Sequence, residues 1–478
     1  MTVSVQKIPE SERFYRNSDK TAFINHQKIQ KFLKNTVPPD KAEIREILSH
    51  ARQLKGLDFE EAEKLLLVDT PNLLEEIFEM AYFVKEEIYG KRLVLFAPLY
   101  ISNLCKNECA YCAFRASNRS IRRRALSYSE IAQEVTFLEN QGHKRILLVA
   151  GEAYPKEGLD YVLRAIDIIY ATKSGRGEIR RVNVNIAPLS VDEFRRLKER
   201  KIGTYQIFQE TYHYPTYLNM HALGPKRDYK YRLLAIDRAF EAGIDDVGIG
   251  VLFGLFDYRF EILALLQHIR HLEKNFGMGP HTISVPRLEP AEGSTVAANP
   301  PYPVSDRDFK KIVAVLRMTV PYTGIILSTR ETPDMRRAAF HLGVSQISAG
   351  SRTNPGGYTE GDLGEQFSLG DHRPIDEVIL DCIQQGMIPS FCTGCYRLGR
   401  TGLDFMDLAK PGLIKLHCLP NALTTFKEYL QDYASPKTRE AGLALIQEMV
   451  AKIPNFKRQR KTKEYLQQIE AGERDLYF

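Results

Sequence analysis

The sequence predicts an α/β fold in which a TIM-type (βα)8 barrel over residues 91–373 lies between an N-terminal helical extension (1–90) and a mainly helical C-terminal domain (374–478). Three observations predict it. From residue 92 the texture changes to short, β-rich apolar runs separated by amphipathic stretches, the pattern of repeated βα units. There are eight such runs over about 260 residues, which is the number and length of this barrel. Residues suited to chemistry fall directly after the runs, where barrel enzymes carry their sites.

The first ninety residues read as helices, because DKAEIREILSHARQ and FEEAEKLLLV place apolar residues three and four apart between charged ones. No chemistry is visible there. The opening MTVSVQKIPESERFYRNSDK lacks the apolar core of a signal peptide, and no later stretch has the roughly 18 apolar residues of a membrane span. A cytoplasmic protein with no membrane partner is expected. Hydrophobic residues at 44% and charged residues at 26% are ordinary globular proportions, enough for a large core. The net charge of +6, against 66 basic and 60 acidic residues, requires no polyanion, so no nucleic-acid partner is expected.

The eight runs are RLVLFAPLY from Arg92, RILLVAG from Arg145, RVNVNIAP from Arg181, GTYQIFQE from Gly203, DDVGIGVLF from Asp245, HTISVPRLEP from His281, TGIILSTRE from Thr323 and VSQISAGS from Val344. Cys105 follows the first, Glu152 the second, Glu210 and Tyr212 the fourth, Glu289 the sixth, Arg330 the seventh, and Ser351 with Arg352 the eighth. The glycines of GIGVLFG lack dinucleotide-site spacing and read as close barrel packing. Beyond Pro374 come a helical start, a Pro-Gly turn at Pro411 and two basic helices.

Seven cysteines are too few for a disulfide scaffold in a chain of 478 residues. Their clustering is informative. Cys105, Cys109 and Cys112 lie in one short loop, close enough to hold three irons of a cubane cluster. No fourth Cys or His at nearby spacing completes a zinc site, which leaves one iron open. Cys392, Cys395 and Cys418 form a second set of three. A second open cluster is the favoured reading. Zinc with His417 as fourth ligand, and an air-formed Cys392–Cys395 disulfide, are the alternatives.

The C-x3-C-x2-C spacing with Tyr111 before the last cysteine resembles the signature of radical S-adenosylmethionine (SAM) enzymes. That resemblance implies a radical SAM barrel with a 4Fe-4S cluster whose open iron chelates SAM. Ala150-Gly151-Glu152 resembles the segment that binds the SAM amino group, with alanine in place of the first glycine. Gln209-Glu210-Thr211-Tyr212 resembles the ribose-contacting segment, and Arg232 resembles the arginine that pairs with the SAM carboxylate.

A radical SAM barrel followed by C-x2-C-x22-C resembles the HydG family, the tyrosine lyases of FeFe-hydrogenase maturation, over nearly the whole chain. The resemblance implies cleavage of L-tyrosine at Cα–Cβ to p-cresol and dehydroglycine. Carbon monoxide and cyanide would then form at a second 4Fe-4S cluster in the C-terminal domain and leave as ligands of an additional iron. Arg330 is placed to pair with the tyrosine carboxylate, unless it is tied to Glu331 or Glu289, and Ser351 could add a hydrogen bond. His271, sharing a helix face with His268, is the expected donor to the additional iron. An electron donor such as ferredoxin or flavodoxin, and other hydrogenase maturation proteins, are the implied partners. A ThiH-like 2-iminoacetate synthase with an electron-transfer accessory cluster is the alternative, and a non-catalytic iron-sulfur carrier is a third reading.

Overall fold

In the computed structural model, which describes residues 23–35, 37–361 and 364–478, each of the eight runs becomes one strand. They are β1 (Arg92–Ser102), β2 (Arg145–Ala150), β3 (Arg181–Asn185), β4 (Tyr205–Glu210), β5 (Val247–Val251), β6 (Thr282–Ser284), β7 (Gly324–Leu327) and β8 (Gln346–Ser348). Neighbours pair in parallel, and β8 returns to β1 with Gln346 opposite Val94, so the barrel is closed. Closure leaves no free edge among the eight.

The glycines of β5 answer to this closure. A Cβ on Gly248 would stand 2.4 Å from Thr282 Oγ1, and one on Gly250 would stand 2.7 Å from the Phe208 ring. Two strands break register near their C-terminal ends, β1 between Tyr100 and Ser102 and β4 between Phe208 and Glu210. Such irregularities re-aim side chains. Glu210 itself has φ +69°, a left-handed conformation rare outside glycine.

The extension is helical at His26–Asn35, Lys41–Ala51, Phe59–Leu66 and Pro71–Tyr89. Residues 1–22 of the segment read as helical lie outside the described residues. Asp58 and Glu61 form a reciprocal capping box at the third helix, as do Ser127 with Glu130 and Ser190 with Glu193 on barrel helices. The last helix of the extension packs along the barrel helix Asp306–Thr319, beside which Lys311 donates to Asp69 at 2.9 Å. The main core runs from the extension through the barrel into the C-terminal helices, and a smaller apolar cluster of Tyr100, Tyr111, Phe114, Leu252 and their neighbours sits under the first cysteine loop.

A ninth strand, β9 (Ile388–Ser390), lies in the C-terminal stretch and pairs in parallel with Arg92–Val94 of β1. Bonded on one side only, it tolerates Pro389. Cys392 follows it, Cys395 stands on the short helix Gly394–Arg397, and Cys418 sits in the first turn of the helix Lys415–Asp432. That helix is tied to the barrel by a buried ion pair, Arg180 to Glu428 at 2.8 Å. Among the described residues no helix is long and apolar enough to cross a membrane.

Candidate functional site

The loop after β1 carries Cys105, Cys109 and Cys112 over the C-terminal mouth of the barrel, where they line a cavity of about 200 Å³. The loop is shaped by its neighbours. Cys109 makes an antiparallel bridge with His221, and Glu108 and Ala110 donate to the carbonyls of Leu223 and Met220 at 3.0 and 2.9 Å. Gly151 permits the approach of the next loop, since a Cβ there would stand 2.3 Å from the Leu104 carbonyl oxygen. The Cys112 sulfur accepts from the Phe114 amide at 3.4 Å and from Gln366 Nε2 at 3.7 Å.

Four charged side chains form a chain across the cavity wall. Arg232 donates to Glu152 at 2.8 Å, to Glu210 at 3.4 Å and to the Phe208 carbonyl at 2.7 Å, and Lys226 donates to Glu210 at 2.6 Å. Asn107, inside the cysteine loop, donates to Glu152 at 2.7 Å, so the loop and the charges are one assembly. Burial pushes the Glu152 carboxyl up, but the charges of Arg232 and Lys226 outweigh it and hold the group below the usual carboxylate range. A guanidinium has five N–H donors, so Arg232 keeps one on each terminal nitrogen for a carboxylate. Tyr111 also lines the cavity, its hydroxyl 2.9 Å from His221 Nε2, while His221 Nδ1 lies 2.8 Å from the Tyr217 carbonyl.

Arg330 and Ser351 face this wall from the other side of the same cavity. Glu331 is bound by Arg287 at 2.9 Å, and Arg330 has no carboxylate partner among the described residues. Its guanidinium stacks on Phe367 at 3.2 Å and is pushed down by burial. The Ser351 hydroxyl is buried and makes no hydrogen bond. An unpaired cation and an orphan hydroxyl on one wall are what an anionic ligand would satisfy.

Two expected residues are elsewhere. Tyr212 is fully buried behind β4, its hydroxyl 2.8 Å from His268 Nδ1, so it cannot reach a ligand in the cavity. The φ of Glu210 turns the chain there and sends the two side chains to different surroundings. His271 is held 2.7 Å from Asp237 and 2.9 Å from Asn275 and stacks on Phe23 at 3.8 Å. It lines neither the cavity of the first triad nor the chamber of the second, so it is not placed to serve the additional iron.

The second cysteine group lines a separate chamber at the opposite, N-terminal mouth, together with Arg92, Arg145, Arg181 and His281. The Cys392 sulfur accepts from the Gly394 amide at 3.3 Å. His281, at the start of the sixth run, is the histidine that shares this chamber, with Nδ1 3.8 Å from Asp246. His417 is excluded from it. Its Nδ1 accepts from Arg400 at 2.8 Å, and burial beside Arg400 and Arg458 lowers its pKa to about 4.

Both donor sets fit open 4Fe-4S clusters. Among the described residues no three of His, Cys, Asp and Glu converge on a point for a single ion. A cubane takes one thiolate per iron, so its ligands stand apart. All seven cysteines are free, and burial pushes the thiols of Cys105, Cys109, Cys112, Cys395 and Cys418 upward, that of Cys395 to about 12, so loading must displace protons. Arg92 and Arg145 each leave a buried Nε without a partner, which an anionic cluster in the chamber would compensate.

A family model for the radical SAM superfamily matches residues 99–269, and one for the biotin and thiamin synthesis associated domain matches residues 284–388. The chain is 33% identical over 329 residues to 2-iminoacetate synthase of Escherichia coli (strain K12), covering 68% of this chain and 85% of the relative. A solved HydG structure, described as a maturase of the FeFe-hydrogenase, is 52% identical with a TM-score of 0.93, covering 95% of this chain and 100% of the other. HydG from Carboxydothermus hydrogenoformans is 44% identical with a TM-score of 0.82, covering 94% and 100%.

Proposed function

The chain belongs to the HydG family of radical SAM tyrosine lyases, and from that premise we propose that it cleaves L-tyrosine to p-cresol and dehydroglycine at the C-terminal mouth and converts dehydroglycine to carbon monoxide and cyanide at the N-terminal mouth. The observation that carries this reading is the pair of cysteine triads, each in its own chamber at opposite ends of one barrel. When bound, the first cluster supplies one electron to the SAM sulfonium, giving methionine and the 5'-deoxyadenosyl radical.

The protein's own residues do the positioning. Glu152 takes the SAM amino group, Arg232 its carboxylate and Glu210 its ribose, within a network whose two cations and two carboxylates balance. Arg330 and Ser351 hold the tyrosine carboxylate across the cavity, and Phe367 fixes the guanidinium plane. Cys392, Cys395 and Cys418 hold the second cluster, and His281 takes the place expected of His271 as donor to an additional iron carried as cargo for the hydrogenase active site. The ThiH-like reading is less favoured because the match to 2-iminoacetate synthase spans 68% of this chain, whereas the HydG structures cover 95% and 94%.

The test is to quantify p-cresol, cyanide and carbon monoxide in parallel from anaerobically reconstituted wild type and from Cys392→Ala/Cys395→Ala. Tyrosine cleavage should survive in the variant while carbon monoxide falls much further. Equal losses of all three products would refute the division of labour, and wild type that gives p-cresol without carbon monoxide or cyanide would favour the ThiH-like reading.

A further inference from the structure

Average composition conceals where this chain keeps its charge. Between residues 103 and 125 stand Lys106, Arg115, Arg119, Arg122, Arg123 and Arg124 against a single carboxylate, Glu108. Six cations less one anion give +5, nearly all of the chain's formal +6, in the segment that carries the first cysteine triad.

The segment doubles back on itself, which brings the two charged stretches side by side. Ala116 donates to the Asn107 carbonyl at 2.9 Å, the Ser117 amide and hydroxyl donate to Glu108 at 2.7 Å each, and Asn103 donates to the Arg122 carbonyl at 2.8 Å. The stretch 115–124 therefore runs alongside 103–108, the backbone that leads into Cys105.

Some of the cations have structural work. Arg123 holds the loop through the Asn103 and Phe114 carbonyls at 2.8 Å, Arg124 pairs with Glu360 at 2.6 Å, and Arg115 donates to the Gly293 carbonyl. Lys106, Arg119 and Arg122 do not. All three are exposed, and among the described residues their side chains have neither an ion pair nor a hydrogen bond. Leu223, two-thirds exposed at 66%, adjoins the Lys106 end of the segment, its carbonyl bonded to the Glu108 amide. The half-buried Cys105 and Cys112 belong to the same segment.

We infer that this basic face is the docking surface for an acidic, low-potential one-electron carrier protein that reduces the first cluster. The inference rests on the radical SAM reading, under which the cluster must gain one electron for each SAM cleaved while the carrier is oxidised by one. The cations stand on the loop whose cysteines would hold that cluster, so a carrier docked on them lies beside the centre it reduces. Unpaired cations and an exposed leucine on the same loop assembly give an acidic partner both steering and an apolar anchor. Nucleic acid would match the charge as well, but it gives no reason for placing the charge over a redox centre.

The test uses the reconstituted holoenzyme, with a reduced acidic two-cluster ferredoxin as probe and dithionite as small reductant. In Lys106→Glu/Arg119→Glu/Arg122→Glu, ferredoxin binding at low salt and ferredoxin-driven 5'-deoxyadenosine formation should each fall at least about tenfold, the scale of a lost electrostatic docking contribution. Dithionite-driven formation should stay within about twofold of wild type. Added salt should weaken ferredoxin binding to wild type far more than to the variant. Arg119→Lys/Arg122→Lys should behave as wild type.

Undiminished binding and reduction by ferredoxin in the charge-reversed variant would overturn the inference, and so would an equal loss with both reductants. A single-stranded oligonucleotide whose binding alone is lost in the variant would assign the face to nucleic acid instead. Failure of wild type to cleave SAM with dithionite would sink the radical SAM reading itself, while the ferredoxin binding measurement would still judge the surface.

Discussion

Arg330 and Gly151 make opposite kinds of demand on the site. Arg330 is a buried guanidinium stacked on Phe367 with no carboxylate of its own. Lysine in its place keeps the charge and loses the planar two-point contact, so Arg330→Lys should raise the KM for tyrosine by about tenfold or more. SAM affinity, measured by titration without tyrosine, should be unchanged; an equal effect on both would move Arg330 out of the tyrosine site. Gly151 is required by space rather than torsion, because a Cβ would collide with a backbone oxygen 2.3 Å away. Gly151→Ala should push the cysteine loop off its seat at a cost of about 1–3 kcal/mol. Iron content at the first site and SAM binding should both fall, and normal loading would show that the loop yields easily. The cysteines and Glu152 were legible in the sequence because their spacing after strands has few other uses. Arg92, Arg145 and Arg181 were missed although each opens one of the first three runs, a pattern that places three guanidiniums at one mouth. His281 was hidden inside the sixth run, and His271 was preferred on its resemblance to the family, since helical spacing pairs it with His268 but does not reveal which way their shared face points.

At the scale of elements, the strands were readable because a parallel barrel buries both faces of each strand, leaving uninterrupted apolar runs between amphipathic helices. Strand β9 was not, since IPS is three residues long and contains a proline, and only its pairing with the start of β1 makes it a strand. The join between the helix Lys415–Asp432 and the barrel was likewise invisible, because it depends on Arg180 meeting Glu428 across 248 residues. Both side chains are almost wholly buried, at 4% and 3% exposure. Removing one partner strands the other charge, so Arg180→Ala should destabilise the C-terminal helices by about 3–5 kcal/mol. Urea unfolding followed by iron release should show the second cluster lost at lower denaturant than the first, whereas simultaneous loss would mean that barrel and helices unfold as one unit.

Across the whole molecule the barrel carries a cysteine triad at each mouth, although in such folds the N-terminal mouth ordinarily serves stability. Strand β1 joins the two ends. Cys105 lies just beyond its last residue, and Arg92, its first, lines the second chamber. Its 11 residues span roughly 35 Å at about 3.3 Å per residue, somewhat less along the tilted barrel axis. Magnetic dipoles weaken with the cube of their separation, so unpaired spins on clusters held so far apart are nearly blind to each other. The paramagnetic resonance spectrum of the fully loaded, reduced protein should therefore superpose the spectra of the Cys105→Ala and Cys392→Ala/Cys395→Ala variants. Splittings or accelerated spin relaxation found only when both clusters are present would contradict that separation. Each end of the barrel can then be followed by its own signal within a single intact molecule.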